Sequence, residues 1–214
     1  MFATDTDLLL LEPNLFRHVT WTGQRLVSGT ARIAGGVLKF QSLDVALDAA
    51  GVAPGCVALV GLTPYEIVEV LDDANAVISR PRPGPDGPPI PMPDVEVDTP
   101  ALIATFTPQI AIVHRQVLRM IGIEPEHPAP GAPTEADITN PRALARLEAL
   151  GALHLIYAAA GALTPEDSPA NQRAEHYRGR FGEERARCRV ELDTNGDGLP
   201  DTARMLNLIR FVRA

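Results

Sequence analysis

The stretch from Asn140 to Ala160 constrains the fold most, because it is the longest segment whose residues all favour one structure and one degree of burial. Asn140 is a good N-cap, and Pro141 suits the first position of a helix. Small and aliphatic side chains then recur on one face at spacings of three and four residues, namely Leu144, Leu147, Gly151, Leu155 and Ala158. Gly151 leaves room for a second helix to approach closely. The stretch therefore predicts a buried packing helix.

The composition predicts an ordinary folded protein that does not grip nucleic acid. The chain has 214 residues, a length that suits one large domain or two small ones. Of these residues 45% are hydrophobic and 21% are charged, which is typical of a globular protein. Its formal net charge of -8 argues against binding phosphates, which requires clustered Lys and Arg. The densest arginine group, residues 173–189, is interleaved with glutamates and indicates a solvated helix face.

The sequence favours a cytoplasmic, reduced protein. The N-terminus has neither the basic region nor the long apolar core of a signal peptide, and no segment approaches the roughly twenty apolar residues that span a bilayer. We therefore expect no membrane partner. Cys56 and Cys188 lie far apart and outside any pair with metal-ligand spacing, so we expect two structural thiols.

The N-terminal part, residues 1–82, predicts a small antiparallel β-domain, either a meander or a barrel. The first thirty residues are irregular and indicate a short apolar strand or turn followed by a loop. From Ala31 onward, β-branched and aromatic residues alternate with turn signals at Gly35-Gly36, Pro54-Gly55 and Asp72 to Asn75.

A proline-rich segment separates this part from the rest. Residues 81–100 contain eight prolines and two glycines, which removes backbone donors and prevents a continuous helix. We expect residues 83–104 to form a stiff linker between domains. The alternative is a polyproline ligand for the aromatic groove of a partner protein.

The C-terminal part, residues 105–214, predicts a bundle of about three helices with a C-terminal β-hairpin or extended arm, so the fold class is α+β. Thr107 caps the first helix, and His114 lies beside its apolar stripe as a boundary or surface residue. In the last helix the apolar stripe contains Ala170, Ala174, Tyr177, Phe181 and Cys188.

One motif has a chemical interpretation, the run Asp193 to Asp201. Oxygen-bearing side chains at alternate positions before a glycine can wrap a calcium ion, and the candidate ligands are Asp193, Asn195, Asp197 and Asp201. However, Arg204 occupies the twelfth position, where a bidentate carboxylate should stand. Asn-Gly and Asp-Gly also form hairpin turns without metal, and we favour that interpretation.

No motif indicates catalysis. The chain contains no phosphate loop, no dinucleotide-binding glycine pattern and no Cys-x-x-Cys, and its five histidines are scattered. We predict that the protein is not an enzyme and needs no cofactor, apart from the calcium that the acidic loop could take. An unrecognised hydrolase stays an alternative, because catalytic triads assemble from distant residues. A calcium-dependent protein-interaction module is another.

Three C-terminal segments carry a resemblance to a known family, namely FTPQIAIVHRQVLRMIGI, ITNPRALARLEALGALHLIYAAAG and AEHYRGRFGEERARCRVELDTNGDGLPD. Together they resemble the head-to-tail adaptor (connector) proteins of tailed bacteriophages and prophages. The resemblance covers roughly residues 105–214 and rests on helix order, on Tyr177 and Phe181 in the last long helix, and on the Asp-Gly hairpin before the C-terminal arm. The N-terminal half is instead similar to small barrels of phage neck and head-completion proteins, which leaves adaptor and stopper roles both open.

The resemblance implies a structural protein of the virion neck, assembled in the host cytoplasm. Such proteins form a homo-oligomeric ring, commonly a dodecamer, between the portal protein and a tail or neck protein, and DNA passes through the ring without specific binding. We expect the C-terminal arm to contact a neighbour or the portal through Leu206, Ile209, Phe211 and Val212, because it is too apolar for a free terminus yet contains interspersed arginines.

Overall fold

The computed structural model describes residues 1–84, 87–127, 129 and 131–206. The chain divides into two units, which are Thr4–Thr107 and Pro108–Ala214, the second together with Met1–Ala3. The first unit is a six-stranded antiparallel barrel, and the second contains helices and a small two-stranded sheet. This confirms the predicted mixed class with an N-terminal β-domain, and closure of the sheet decides between meander and barrel.

The barrel runs in the order β1-β2-β5-β4-β3-β6, with all neighbours antiparallel. Its strands are β1 (Arg25–Ala34), β2 (Val37–Leu43), β3 (Val57–Val60), β4 (Thr63–Asp72), β5 (Asn75–Ser79) and β6 (Val95–Ala104). Closure depends on β6, which pairs with β1 on one side and with β3 on the other. Alternate apolar residues point inward, so that Val27, Ala31 and Ile33 of β1 join one buried core with Leu38, Ile67 and Ile103.

Glycines permit two tight features of the barrel. Gly35 and Gly36 have φ of +58° and +78° and form the two-residue turn between β1 and β2, as predicted. Gly29 lies just before the register shift between β1 and β2, where an added Cβ would lie 1.9 Å from the carbonyl oxygen of Ser42.

The proline-rich segment is a connection within the barrel unit, and the linker prediction for residues 83–104 was wrong there. Val95–Ala104 form β6. The described residues before it are tied to the barrel: the buried Arg82 guanidinium pairs with Glu66 at 2.6 Å, and the Ile90 N–H donates to Ser79 Oγ at 2.7 Å. A segment poor in backbone donors is thus held by side-chain partners instead of a strand ladder.

The prediction of a strand or turn in the first thirty residues was also wrong. They form α1 (Asp5–Leu11), α2 (Leu15–His18) and a 3₁₀ turn at Thr22–Gln24 before β1 begins. The Asp7 carboxylate accepts a hydrogen bond from the Thr4 N–H at 2.7 Å, which starts α1. The Asp5 carboxylate is buried and accepts from the Phe106 N–H and the Thr105 hydroxyl, each at 2.6 Å, which ties α1 to the end of β6.

The second unit contains α3 (Thr107–Ile121), α4 (Arg142–Gly161) and α5 (Pro169–Arg187), followed by β7 (Arg189–Leu192) and β8 (Thr202–Met205). Gly151 of α4 allows the close approach that the sequence predicts, because an added Cβ would lie 2.6 Å from Val113 of α3 and 3.0 Å from Phe181 of α5. Tyr177 of α5 stacks on Tyr157 of α4, with ring centroids 5.8 Å apart.

Asn140 does not cap α4 as the sequence predicts. The helix begins at Arg142, and the Asn140 side chain instead bonds to the backbone of β7. Its Nδ2 donates to the carbonyl oxygen of Arg189 at 3.0 Å, and its Oδ1 accepts from the Glu191 N–H at 2.9 Å. Residues 137–140 therefore run along β7 and fix the sheet beside the start of α4.

By length and composition α4 could cross a bilayer, with a mean hydropathy of 1.3 over an 18-residue window. The expectation that no segment approaches this length and apolarity was therefore wrong. The rest of the protein buries 61% of that window, and the core helix of a folded domain has the same combination of length, apolarity and burial.

Candidate functional site

Two buried ionisable side chains of the helical unit meet where α3 and α4 pack. Glu148 of α4 is fully buried, and its Oε1 lies 2.7 Å from Nδ1 of His114 of α3. Its other oxygen accepts from the Phe2 and Ala3 N–H groups at 2.7 and 2.6 Å. Burial raises the pKa of Glu148, while these hydrogen bonds and the nearby imidazole oppose the rise.

The second imidazole nitrogen of His114 faces another carboxylate. Its Nε2 lies 3.1 Å from Oε2 of Glu135, whose other oxygen lies 3.3 Å from the ammonium of Met1. Partial burial would raise the pKa of Glu135, but the hydrogen bond and charge of His114, with the ammonium, lower it. The Phe2 ring packs on the imidazole with centroids 4.8 Å apart.

This arrangement resembles a carboxylate–histidine pair of an enzyme, but both imidazole nitrogens and both Glu148 oxygens already have protein partners. It anchors residues 1–3 to the helical unit. The sequence placed His114 at a boundary or surface, which was wrong, and it did not identify Glu148. A sequence signal was present: Glu148 is the one acidic residue of the predicted buried helix and has no cation three or four residues away, so burial of that helix required a distant partner for its carboxylate.

The acidic run Asp193 to Asp201 forms the loop between β7 and β8. The Asp193 carboxylate accepts from the N–H groups of Gly198 and Gly196, each at 2.7 Å, and the Gly198 bond most strongly lowers the pKa of Asp193. The Asp201 carboxylate accepts from the Thr194 N–H at 2.8 Å and from the Asn195 amide at 2.9 Å. Such hydrogen bonds from side-chain oxygens to nearby N–H groups are typical of a turn that its own side chains stabilise.

The four candidate calcium ligands therefore lie in one loop. Many of their side-chain oxygens already accept hydrogen bonds from donors of the same loop. Among the described residues, no group of three or more His, Cys, Asp or Glu side chains is placed to hold a metal ion. Arg204, at the position of the missing twelfth ligand, turns away and donates to the carbonyl oxygen of Ile121 at the end of α3. Calcium binding stays a prediction.

The structure places the start of the predicted C-terminal arm at a fixed point. Leu206 is buried, and its N–H donates to the carbonyl oxygen of Cys188 at 3.4 Å. The other three predicted contact residues, Ile209, Phe211 and Val212, lie outside the described residues. The hairpin that precedes them is secured to α3 by Arg204 and to the start of α4 by Asn140.

An apolar groove of about 410 Å³ lies on the outer surface of the barrel beside α2. Its walls include Phe16, Leu59, Leu62 and Leu102, and Arg17 and Arg25 stand beside them. Leu62 is 73% exposed in the turn between β3 and β4. Arg25 lies 3.4 Å from Asp44, whereas Arg17 has no ion-pair partner in the part of the chain that the structure describes.

The connection between α4 and α5 presents an apolar side chain to solvent. Leu163 is 99% exposed, and Glu166 and Asp167 are exposed a few residues further on. The connection is ordered by its own hydrogen bonds: the Thr164 N–H donates to the carbonyl oxygen of Gly161, and Asn171 Nδ2 to that of Pro165, each at 2.9 Å.

Comparisons with protein-family models, with curated proteins and with solved structures find no match for this chain.

Proposed function

We propose that the protein is a structural component of a tailed-phage neck, a head-to-tail adaptor that assembles as a ring between the portal and a tail or neck protein. The observation that carries the proposal is the order of elements in the second unit. A packed helix pair is followed directly by a short hairpin that ends at the buried Leu206, and the sequence continues with an apolar, arginine-containing segment.

The role of that segment follows from its composition. Residues 207–214, NLIRFVRA, combine four large apolar side chains with two arginines, so neither free exposure nor simple burial in a core suits them. The surface of a neighbouring copy or of the portal can accept both kinds of side chain. A twelve-copy ring around a channel, through which DNA passes without specific binding, is part of the proposal, as are location in the virion neck and assembly in the host cytoplasm.

The unequal charge of the two units agrees with this role. Residues 4–107 contain thirteen Asp and Glu against six Lys and Arg, so the barrel unit accounts for most of the net charge of -8. Such a surface repels the phosphate backbone, which favours sliding of DNA over retention. The absence of a catalytic step and of a membrane partner belongs to the same proposal.

Truncation after Leu206 tests the proposal. Leu206 stays in place because it is part of the packed hairpin, so the helical content measured by circular dichroism should not change. Electron microscopy and native mass spectrometry of the full chain mixed with the portal protein of the same genome should show one ring per portal. The truncated chain should lose that complex. A truncated chain that still docks with unchanged affinity contradicts the proposal, as does a strictly monomeric full chain that turns over a small substrate.

A further inference from the structure

The α4–α5 connection, residues 162–167, has the properties of a preformed binding element. Its Leu163 side chain is almost completely exposed, yet the backbone around it is held by hydrogen bonds within the connection and from α5. A rigid loop loses little conformational entropy when it binds, so an apolar side chain at its tip is well placed for insertion into a groove. Isolated exposed leucines are common in folded proteins, so a binding role for Leu163 requires a matching receptor.

The barrel groove supplies that receptor. Its apolar walls and volume of about 410 Å³ suit a leucine with its flanking backbone. The two surfaces also match in charge: Glu166 and Asp167 follow Leu163 within four residues, and Arg17 and Arg25 stand beside the groove. Neither carboxylate has an ion-pair partner among the described residues, and Arg17 likewise lacks one there.

We infer that the α4–α5 connection of one copy docks into the barrel groove of a second copy. Leu163 enters between Leu62 and Leu102, and the carboxylates of Glu166 and Asp167 face Arg17 and Arg25. The two contact surfaces differ, so each copy offers one connection and one groove. A contact of this kind repeats from copy to copy and closes into a ring when its rotation divides the circle. The inference rests on the proposed ring and names the surfaces that would join its subunits.

Single substitutions test each side of the contact. Leu163→Ser removes the inserted side chain, and Leu62→Glu adds a charge to the groove at an exposed turn position. Each should weaken self-association by at least about tenfold, as loss of a central apolar anchor does. Leu199→Ser is the matched control, because Leu199 is 66% exposed on a different loop. It should leave the mass distribution measured by sedimentation velocity unchanged.

Charge exchange tests the pairing itself. Arg17→Glu alone, and Glu166→Arg with Asp167→Arg, should each weaken association. Combining all three substitutions in one chain should restore at least part of the loss, which a fold defect would not do.

Mixing the two defective chains distinguishes a contact between different surfaces from a symmetric one. The Leu163→Ser chain retains its groove, and the Leu62→Glu chain retains its connection. Their mixture should form dimers with one intact contact, and no ring. A full chain that forms rings whose mass neither substitution alters overturns the inference and leaves the proposed function standing. A full chain that is monomeric at every concentration, with and without portal protein, overturns both.

Discussion

Asp5 is a buried carboxyl of the barrel unit whose ionisation is coupled to folding. Burial raises its pKa to about 7, although the Thr105 hydroxyl and the Phe106 N–H both donate to its carboxylate. The folded chain therefore keeps this proton at pH values at which the unfolded chain, with a pKa near 3.8, has released it. Because the folded state binds the extra proton, its stability falls as the pH rises from about 4 to 7.

Asp5→Asn should remove that pH dependence. The substituted side chain is neutral at every pH, and its carbonyl oxygen can still accept from the Phe106 N–H. We expect the free energy of unfolding of the wild type to fall by about 2 to 4 kcal/mol across this range and that of the variant to stay nearly level. The fluorescence of Trp21, the one tryptophan of the chain, reports urea unfolding of this unit. The exposed-site control Glu96→Gln should retain the wild-type slope; equal slopes for wild type and Asp5→Asn would contradict the assignment.

At the scale of elements, two glycines predict opposite responses to the same substitution. An alanine at position 151 would place its Cβ 2.6 Å from Val113 and 3.0 Å from Phe181, so α3 or α5 must move. Gly179 of α5 has nothing within 4 Å of an added Cβ, so alanine there gains helix propensity without a clash.

We expect Gly151→Ala to lower the free energy of unfolding by about 1 to 3 kcal/mol and Gly179→Ala to raise it by about 0.5 to 1 kcal/mol. Urea titration followed by circular dichroism at 222 nm measures both, since the long helices belong to this unit. A stabilised Gly151→Ala would show that the helices separate more easily than their contacts suggest.

Local sequence signals were sufficient where the structure depends on local chemistry. Gly35-Gly36 specified its turn, and Gly151 indicated close helix packing. Sequence reasoning failed where contacts with residues distant in the sequence determine the local structure. α1 depends on the bonds from Asp5 to residues 105 and 106, and the β6 strand was hidden by prolines. Pro100 is tolerated in β6 because it lies just beyond the residues that pair with β3, on the side where its carbonyl oxygen accepts from the Gly61 N–H.

The candidate sites show the same difference between features set by local sequence and features set by distant contacts. Tyr177 and Phe181 belong to the apolar stripe that their spacing predicts for α5, and in the structure both lie against α4. Glu148 and His114 are 34 residues apart and meet through the packing of two helices, so no spacing rule could pair them. The groove on the barrel is formed by α2 and three strands that come together when the sheet closes, and it has no sequence signature.

At the scale of the whole molecule, the connection from β5 to β6 should withstand cleavage without loss of the barrel. β6 pairs with β1 and β3, and β5 with β2 and β4, so a nick in residues 81–94 separates neither strand from its partners. Limited proteolysis there should give two fragments that elute together in size-exclusion chromatography and separate in urea. Fragments that separate in native buffer would contradict this expectation. Intact protein treated identically is the reference.

Closure of the barrel affects how the protein behaves at high local concentration. A ring would hold many copies at high local concentration, where unpaired strand edges act as templates for intermolecular strand addition and fibre growth. Every barrel strand has neighbours on both sides, so this sheet presents no such template. In the described part of the second unit, residues 137–140 run along one edge of the β7–β8 sheet, and the other edge is a four-residue strand that contains Arg204. The chain can therefore be concentrated in an assembly with little risk of aggregating through its sheets.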